Sequence, residues 1–362
     1  MKKTLLVLPG DGIGPEVIKS SLNLIEEILG FEKLQIKIVQ EDLHGSSWDK
    51  YKTFCRNEVI ELAKNSDAVL VGAVGGPKWD NIKVKGGPEM QDGLMRLRKE
   101  LDTFLGLRPV KFYKSLKALS PFKNKIVSDT DVLIIREMCG GIYFSEPKGT
   151  KNINGIDYGF DTAEYSSNEI ERIGHLAFKL AMKRKKKLVS VDKSNVMASG
   201  ALWRKKISEI GKNYDEVKLD HLLADNAVLE FSMNPKKFDV ILSDNLFSDI
   251  LSDLAGAING SIGILPSGCL NGLPEKGKSV FGIYESVHGS APDITGKGIA
   301  NPIGCILSVG MMFEYSFKRE DISKKILQAV LKTLNSGLST PDLGGKETTE
   351  NITKSIIKNY VK

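Results

Sequence analysis

Asp249 and Asp253 stand four residues apart in FDVILSDNLFSDILSDLAGAI, residues 238–258, so on a helix they project from one side. Ile250, Leu251, Leu254, Ala255 and Ile258 fall on another face, which the pattern predicts to be the buried one. Carboxylates at this spacing repel each other. They make either a solvated acidic face, helped by the helix dipole, or half of an oxygen-ligand site for Mg²⁺ or Mn²⁺ that a substrate would complete. A third acid, Asp225, stands at the end of the strand predicted from Val217, before Asn226-Ala227 opens a helix. Arg98, Arg108 and Arg136 lie at the ends of predicted elements. Singly each is an ordinary surface ion-pair partner; together they suggest a site for a multivalent anion.

The elements that must position these groups alternate strand and helix. Thr4 to Leu8 predicts a buried strand, Pro9-Gly10-Asp11-Gly12-Ile13-Gly14-Pro15 a glycine-rich turn, and Pro15 to Leu29 a helix. A second strand near Leu34 to Val39 and the acids Glu41 and Asp42 complete an imitation of the dinucleotide fingerprint. The glycine spacing fails it, because Pro15 occupies the third glycine position and suits the first turn of a helix. The strand Ala68 to Val71 leads into Gly72 to Trp79, where Gly75 and its neighbours suggest a tight turn or a close approach of backbone to a ligand. A helix is expected over Gly93 to Leu105. The strand Val132 to Ile135 delivers Arg136, with Gly140-Gly141-Ile142-Tyr143 just behind. Leu188 to Val191 delivers Asp192-Lys193-Ser194-Asn195-Val196, where a lysine alone reads as a strand-end solubility residue. Gly149 to Tyr165 is polar and predicts an exposed excursion or an arm to a partner. Residues 286–302, with His288, Gly289, Ser290, Ala291, Asp293 and Asn301, form a long loop of the kind that usually binds something.

Composition bounds the rest. At 362 residues, with 41% hydrophobic and 27% charged residues, the chain supports two domains or one large α/β unit. No apolar run reaches the ~18 residues of a membrane span, and MKKTLLVLPGDG is too short for a signal peptide, so a cytoplasmic protein without a membrane partner is expected. Cys55, Cys139, Cys269 and Cys305 show no CxxC spacing and are expected to be reduced thiols. The run Lys183 to Lys187 lacks interleaved aromatic residues and reads as a solvated helix end; no nucleic-acid partner is expected.

From end to end the ordered segments LLVLPGDGIGPEV, GAVGGPKWD, LRKELDTFLGLRP, IIREMCGGIYFSEPKG, SVDKSNV, FDVILSDNLFSDILSDLAG, VHGSAPDITGKGIANP and TPDLGG resemble the isocitrate/isopropylmalate dehydrogenase family of metal-dependent β-decarboxylating dehydrogenases. The resemblance implies an α/β, isopropylmalate dehydrogenase-like two-domain fold on a continuous mixed sheet, not a standard Rossmann fold. It implies a first domain of residues 1–103 and 260–362, a second of residues 104–259, and a homodimer whose sites share residues between subunits.

It further implies that Arg98, Arg108 and Arg136 grip the substrate carboxylates through forked contacts of roughly 1.5–3 kcal/mol each. Asp249 and Asp253 would hold Mg²⁺ or Mn²⁺, joined by Asp225 from the other subunit. Lys193, also from the partner, would take the hydroxyl proton while hydride leaves for NAD, and Tyr143 would protonate the carbon left by CO₂. Asp293 would bind the ribose hydroxyls and repel a 2′-phosphate, favouring NAD. Asn195 would meet the nicotinamide carboxamide; Gly75, His288, Gly289, Ser290, Ala291 and Asn301 would line the remaining cofactor site. Leu94, with Met95 beside it and Val196 opposite, offers an apolar surface that suits the isopropyl group of 3-isopropylmalate, worth about 1.5–3 kcal/mol on burial. Three features depart from the family pattern: Cys139 stands where threonine is usual, Ser286 replaces a common proline, and the loop 87–93 is two residues longer. That longer loop leaves open whether Glu89 or Asp92 serves as the acid beside the isopropyl group.

Overall fold

Alternation explains the first strand and, through it, the layers of the molecule. In β1 (Lys3–Gly10) Leu5 and Val7 enter one apolar cluster while Leu6 and Leu8 enter another, because successive side chains leave a strand on opposite faces. A strand buried on both faces belongs inside a sheet covered by helices on each side. The computed structural model describes residues 3–275 and 279–362. The other strands described are β2 (Ile36–Gln40), β3 (Ala68–Ala73), β4 (Leu105–Lys111), β5 (Asp131–Glu137), β6 (Gly149–Ile153), β7 (Ile156–Phe160), β8 (Lys187–Asp192), β9 (Lys218–Leu223), β10 (Val240–Ser243), β11 (Pro266–Leu270) and β12 (Gly282–Ser286).

Ten strands form one sheet in the order β2-β1-β3-β12-β11-β4-β5-β10-β8-β9. Its flanks are parallel, and they join through the antiparallel pairs β12–β11, β11–β4 and β4–β5. This is the continuous mixed sheet expected, and it is not a Rossmann sheet. The glycine turn after β1 is occupied by the protein itself. Asp11 accepts N–H bonds from Gly45 (3.0 Å), Ser46 (2.8 Å) and Gly75 (2.9 Å), and Ile13 N–H donates to the Ser290 carbonyl at 2.8 Å. A Cβ on Gly12 would collide with that same carbonyl, so this backbone closes on the 286–302 loop.

Four expectations change. The helix expected to run to Leu105 ends at Glu100, because Asp102 adopts a φ of 47° and breaks it. Leu105 then opens β4, which places Arg108 inside a strand. Pro109 is tolerated there because pairing with β11 stops at Leu107. Asp225 lies not at a strand end but in the first turn of the helix Ala224–Met233. Ile250, assigned to the buried face, is 52% exposed, while Asn245, Ser248 and Ser252 are buried instead. β11 and β12, which begin with proline and glycine respectively, are strands that the local sequence pattern does not predict. The polar excursion after Gly149 is a hairpin, β6 paired with β7 around Asn154 and Gly155, whose positive φ values of 53° and 83° suit a two-residue turn. Every residue of its two strands is exposed, including Ile153, Ile156, Tyr158 and Phe160.

Candidate active site

Arg108 pairs with Ile134 across β4 and β5, two residues from Arg136, so both side chains leave the same face of the sheet. Each is almost completely buried, and a buried guanidinium needs an anion. The helix Asn245–Asn259 supplies it. Asp244 caps this helix by accepting the Phe247 N–H at 2.8 Å, and Gly260, with a φ of 84°, ends it. Asn245, Asp249 and Ser252 thereby share the side that faces the sheet.

Arg136 donates through Nε to Asn245 Oδ1 at 2.8 Å and through Nη1 to Asp249 Oδ1. Arg108 Nη1 donates to the same Asp249 oxygen at 3.2 Å and to Ser252 Oγ. Tyr143 OH donates to the other oxygen, Asp249 Oδ2, at 3.2 Å. Burial pushes the Asp249 carboxyl upward, but Arg136 and Arg108 outweigh it and hold the group below its ordinary range. Burial and then the Asp249 charge push Asp253, one turn on, above its ordinary range. Burial and repulsion from Arg108 bring Arg136 down to about 10, and burial with the Asp249 charge raises Tyr143.

Arg98 comes from the helix Gly93–Glu100 and is held separately, through Nη2 to the buried Glu285 on β12. Burial lowers its pKa, but Glu285 reverses the balance and raises it. Glu285 and Ser252 escaped the sequence reading, and Asn245 stood out only, with Ser243 and Asp244, as a capping side chain for its helix. An acid inside the otherwise uncharged strand GIYES was the available signal for Glu285; the two helical polar residues gave none until their arginine partners were placed.

Met95 and Tyr143 line a cleft of about 640 Å³ between the loop 87–93 and the β6–β7 hairpin. Leu94 is only 6% exposed and packs into the core with Leu6, Leu8 and Leu97. Asp92 caps its own helix, accepting from Leu94 N–H (2.7 Å) and Met95 N–H (2.9 Å), whereas Glu89 pairs with Lys99 at 3.0 Å. Cys139 donates to the Arg98 carbonyl at 3.3 Å, and burial raises its thiol pKa.

Lys193 and Asp225 are brought together with each other, at 2.5 Å, and the lysine hydrogen bond lowers the Asp225 pKa. No group of three or more metal-ligating side chains forms among the described residues, so the single chain does not unite Asp225 with Asp249 and Asp253. The latter two still fit a divalent cation: both offer hard oxygens, and a cation would relieve the repulsion that raises Asp253. Asn195 and Val196 are exposed beyond β8, Val196 by 71%.

In the loop after β12, His288 is tied through Nε2 to Ser286 Oγ (2.7 Å) and through Nδ1 to the Gly289 carbonyl (2.9 Å); burial lowers its pKa. Ser290 is buried over the glycine turn, Ala291 takes a φ of 41°, and Gly289 and Asp293 are exposed. Asn301 holds Asp342 (2.9 Å) and caps the Ile303 N–H (3.0 Å). Gly75, with a φ of 100°, has open space where a side chain would stand.

Residues 4–358 match the family model described as isocitrate/isopropylmalate dehydrogenase. The chain is 45% identical over 351 residues to the 3-isopropylmalate dehydrogenase of Xanthomonas euvesicatoria pv. vesicatoria (strain 85-10), covering 97% of this chain and 96% of that one. It is 44% identical over 364 residues to the 3-isopropylmalate dehydrogenase of Aquifex aeolicus (strain VF5), at 99% and 98% coverage. Among solved structures it resembles an isocitrate dehydrogenase from Methylococcus capsulatus (TM-score 0.86, 25% identity, covering 99% of this chain and 100% of that one). It also resembles the apo form of a β-decarboxylating dehydrogenase from Thermococcus kodakarensis (TM-score 0.76, 32% identity, 99% and 96% covered). The chain belongs to the isocitrate/isopropylmalate dehydrogenase family.

Proposed function

We propose that the protein oxidises and decarboxylates (2R,3S)-3-isopropylmalate to 4-methyl-2-oxopentanoate and CO₂, with NAD as hydride acceptor and a divalent metal at the substrate, as a step of leucine biosynthesis. The observation that carries this reading is the convergence of Arg108, Arg136 and Tyr143 on Asp249, beside a cleft lined by Met95. The names of the relatives support the choice of substrate.

Arg98, Arg108 and Arg136 would bind the two carboxylates, with substrate oxygens taking over bonds that Asp249 now receives. Asp249 and Asp253, with the partner's Asp225, would hold Mg²⁺ or Mn²⁺, whose Lewis acidity makes the 2-hydroxyl more acidic. Lys193 of the partner subunit would accept the hydroxyl proton, and NAD, when bound, would supply the hydride acceptor. Loss of CO₂ leaves an electron pair on the neighbouring carbon, and Tyr143 delivers a proton there. Met95 would receive the isopropyl group, with Leu94 and Val196 in the places the resemblance implies; both acids of the loop are engaged within the chain, Asp92 as a helix cap and Glu89 with Lys99. Asp293 accepts from the ribose hydroxyls, which favours NAD over its 2′-phosphorylated form. Gly75, Asn195, His288, Gly289, Ser290, Ala291 and Asn301 complete the cofactor site in the roles the resemblance implies.

Three observations support a homodimer with shared sites. Lys193 and Asp225 pair with each other rather than with Asp249; Val196, Leu229, Met233 and Ile250 are exposed apolar residues; and the β6–β7 hairpin projects from the chain. The sheet order supports a first domain of residues 1–103 and 260–362 and a second of residues 104–259, since strands from both chain ends lie together on one flank. No helix among the described residues is long and apolar enough to cross a membrane; a cytoplasmic location goes with the proposed pathway. The test is NADH formation with 3-isopropylmalate, isocitrate, malate and tartrate in parallel, each with Mg²⁺ and with a chelator. A metal-dependent signal confined to 3-isopropylmalate is expected; a preference for another diacid sinks the assignment of the apolar cleft.

A further inference from the structure

Asn245 is 1% exposed, and each of its polar groups has a partner in a different part of the site. Its Oδ1 accepts from Arg136 Nε at 2.8 Å, and its Nδ2 donates to the Gly140 carbonyl at 3.1 Å. Its backbone N–H donates to Tyr165 OH at 3.0 Å. The same Tyr165 ring packs against Gly140 and Gly141, where an added Cβ would strike it, and stacks edge-on against Trp203 at 5.5 Å. The peptide at Gly140 is gripped from its other side as well: Glu137 Oε2 accepts the Gly140 N–H at 2.7 Å and the Cys139 N–H at 3.1 Å. Tyr143 lies three residues further along, in the short 3-10 turn Gly141–Tyr143.

One buried amide therefore joins a substrate-binding arginine to the loop that carries the proton donor. A hydrogen bond to a buried guanidinium fixes its plane, and a tether at Gly140 fixes where the next turn begins. We infer that Asn245 is a positioning residue, which sets the Arg136 fork and the Tyr143 hydroxyl in register, so that gripping the carboxylate and delivering the proton depend on one side chain. This rests on the reading of Arg136 and Tyr143 given above, and the experiment separates the two.

The test compares wild type, N245A, Y143F and the double variant N245A/Y143F, with 3-isopropylmalate, saturating NAD and Mg²⁺, after melting curves confirm folding. N245A is expected to raise KM for the diacid about tenfold and to lower kcat about tenfold. In the Y143F background the same substitution is expected to lower kcat less than about twofold further, because the hydroxyl it positions is already gone. Equal kcat losses in both backgrounds mean a general structural role and overturn the inference, as does an N245A variant within about twofold of wild type in both parameters. Should N245A fail to fold, Y165F removes only the acceptor of the Asn245 N–H and keeps the ring; the same pattern in a weaker form is expected, and additive losses overturn the inference. A wild-type protein inactive on 3-isopropylmalate would sink the underlying reading instead.

Discussion

Asp249 and Asp225 are both carboxylates proposed as ligands of one metal, yet the chain treats them in opposite ways. Asp249 accepts bonds from Arg108, Arg136 and Tyr143 against the sheet, whereas Asp225 has 69% of its side chain open and is partnered by Lys193, itself at the end of β8. The helix that carries Asp225 also exposes Leu229 and Met233, and it packs on the helix that exposes Ile250. An anion set among buried arginines is finished within its own chain. A salt bridge open to water contributes little to stability, so it reads as a pair held ready for something outside the chain.

Mixing inactive chains tests this contrast most severely. Asp249→Asn removes the anchor of two arginines and a proposed metal ligand, and is expected to lower kcat roughly a thousandfold. Lys193→Met removes the proposed base, with an expected loss on the order of a hundredfold or more. If Lys193 serves the partner's Asp249, a random mixture of the two variants regains about a quarter of wild-type activity, because half the dimers are hybrids with one intact site. If each chain serves itself, mixing restores nothing. Assay after unfolding and refolding the variants together, against each variant alone, decides between them.

The next contrast lies on the cofactor side, between acids in use and an acid left open. Glu41 is tied to Arg56 and Asp42 to Lys50, whereas Asp293 is exposed and forms no side-chain ion pair among the described residues. Asp293→Ala is expected to raise KM for NAD about ten- to a hundredfold, the loss of bonds to two hydroxyls, while Glu41→Gln stays within about twofold. The reverse result would restore a nucleotide site at the β2 end of the sheet.

What was legible in the chain follows the same division. Alternating Leu5 to Leu8 announced β1 and its two apolar layers, and the four-residue spacing of Asp249 and Asp253 announced a helix with an acidic side. Local pattern did not show that β11 and β12 would carry the centre of the sheet, since Pro266, Gly268 and Gly282 hide them and only pairing with β3 and β4 makes them strands. Nor could periodicity show that Asn245 and Ser252 face inward. Their polar atoms are buried because Arg108 and Arg136, more than a hundred residues earlier, need them. Hydrophobic periodicity recovers layers; it cannot recover a polar interior assembled from distant parts of the chain.

The mildest expected change touches stability rather than turnover. Glu137 ends β5 next to Arg136, fully buried, and accepts the Cys139 and Gly140 N–H groups while Arg172 lies 3.3 Å away. Burial pushes its carboxyl up to about 7, with Arg172 and the Gly140 N–H only partly opposing. Between about 4.5, its ordinary value, and about 7 the folded protein therefore holds a proton that the unfolded chain has released, so this group's contribution to stability is full below that window and falls as pH rises through it. Glutamine keeps an acceptor for the two amides and has no proton to lose. Urea unfolding at fixed protein concentration, from pH 5 to pH 8, should show wild type losing stability relative to Glu137→Gln by on the order of 1–3 kcal/mol as pH rises. A difference that stays flat with pH would mean that Arg172 and the loop amides keep Glu137 ionised throughout, and that the loop beneath Tyr143 is held by a carboxylate rather than a carboxylic acid.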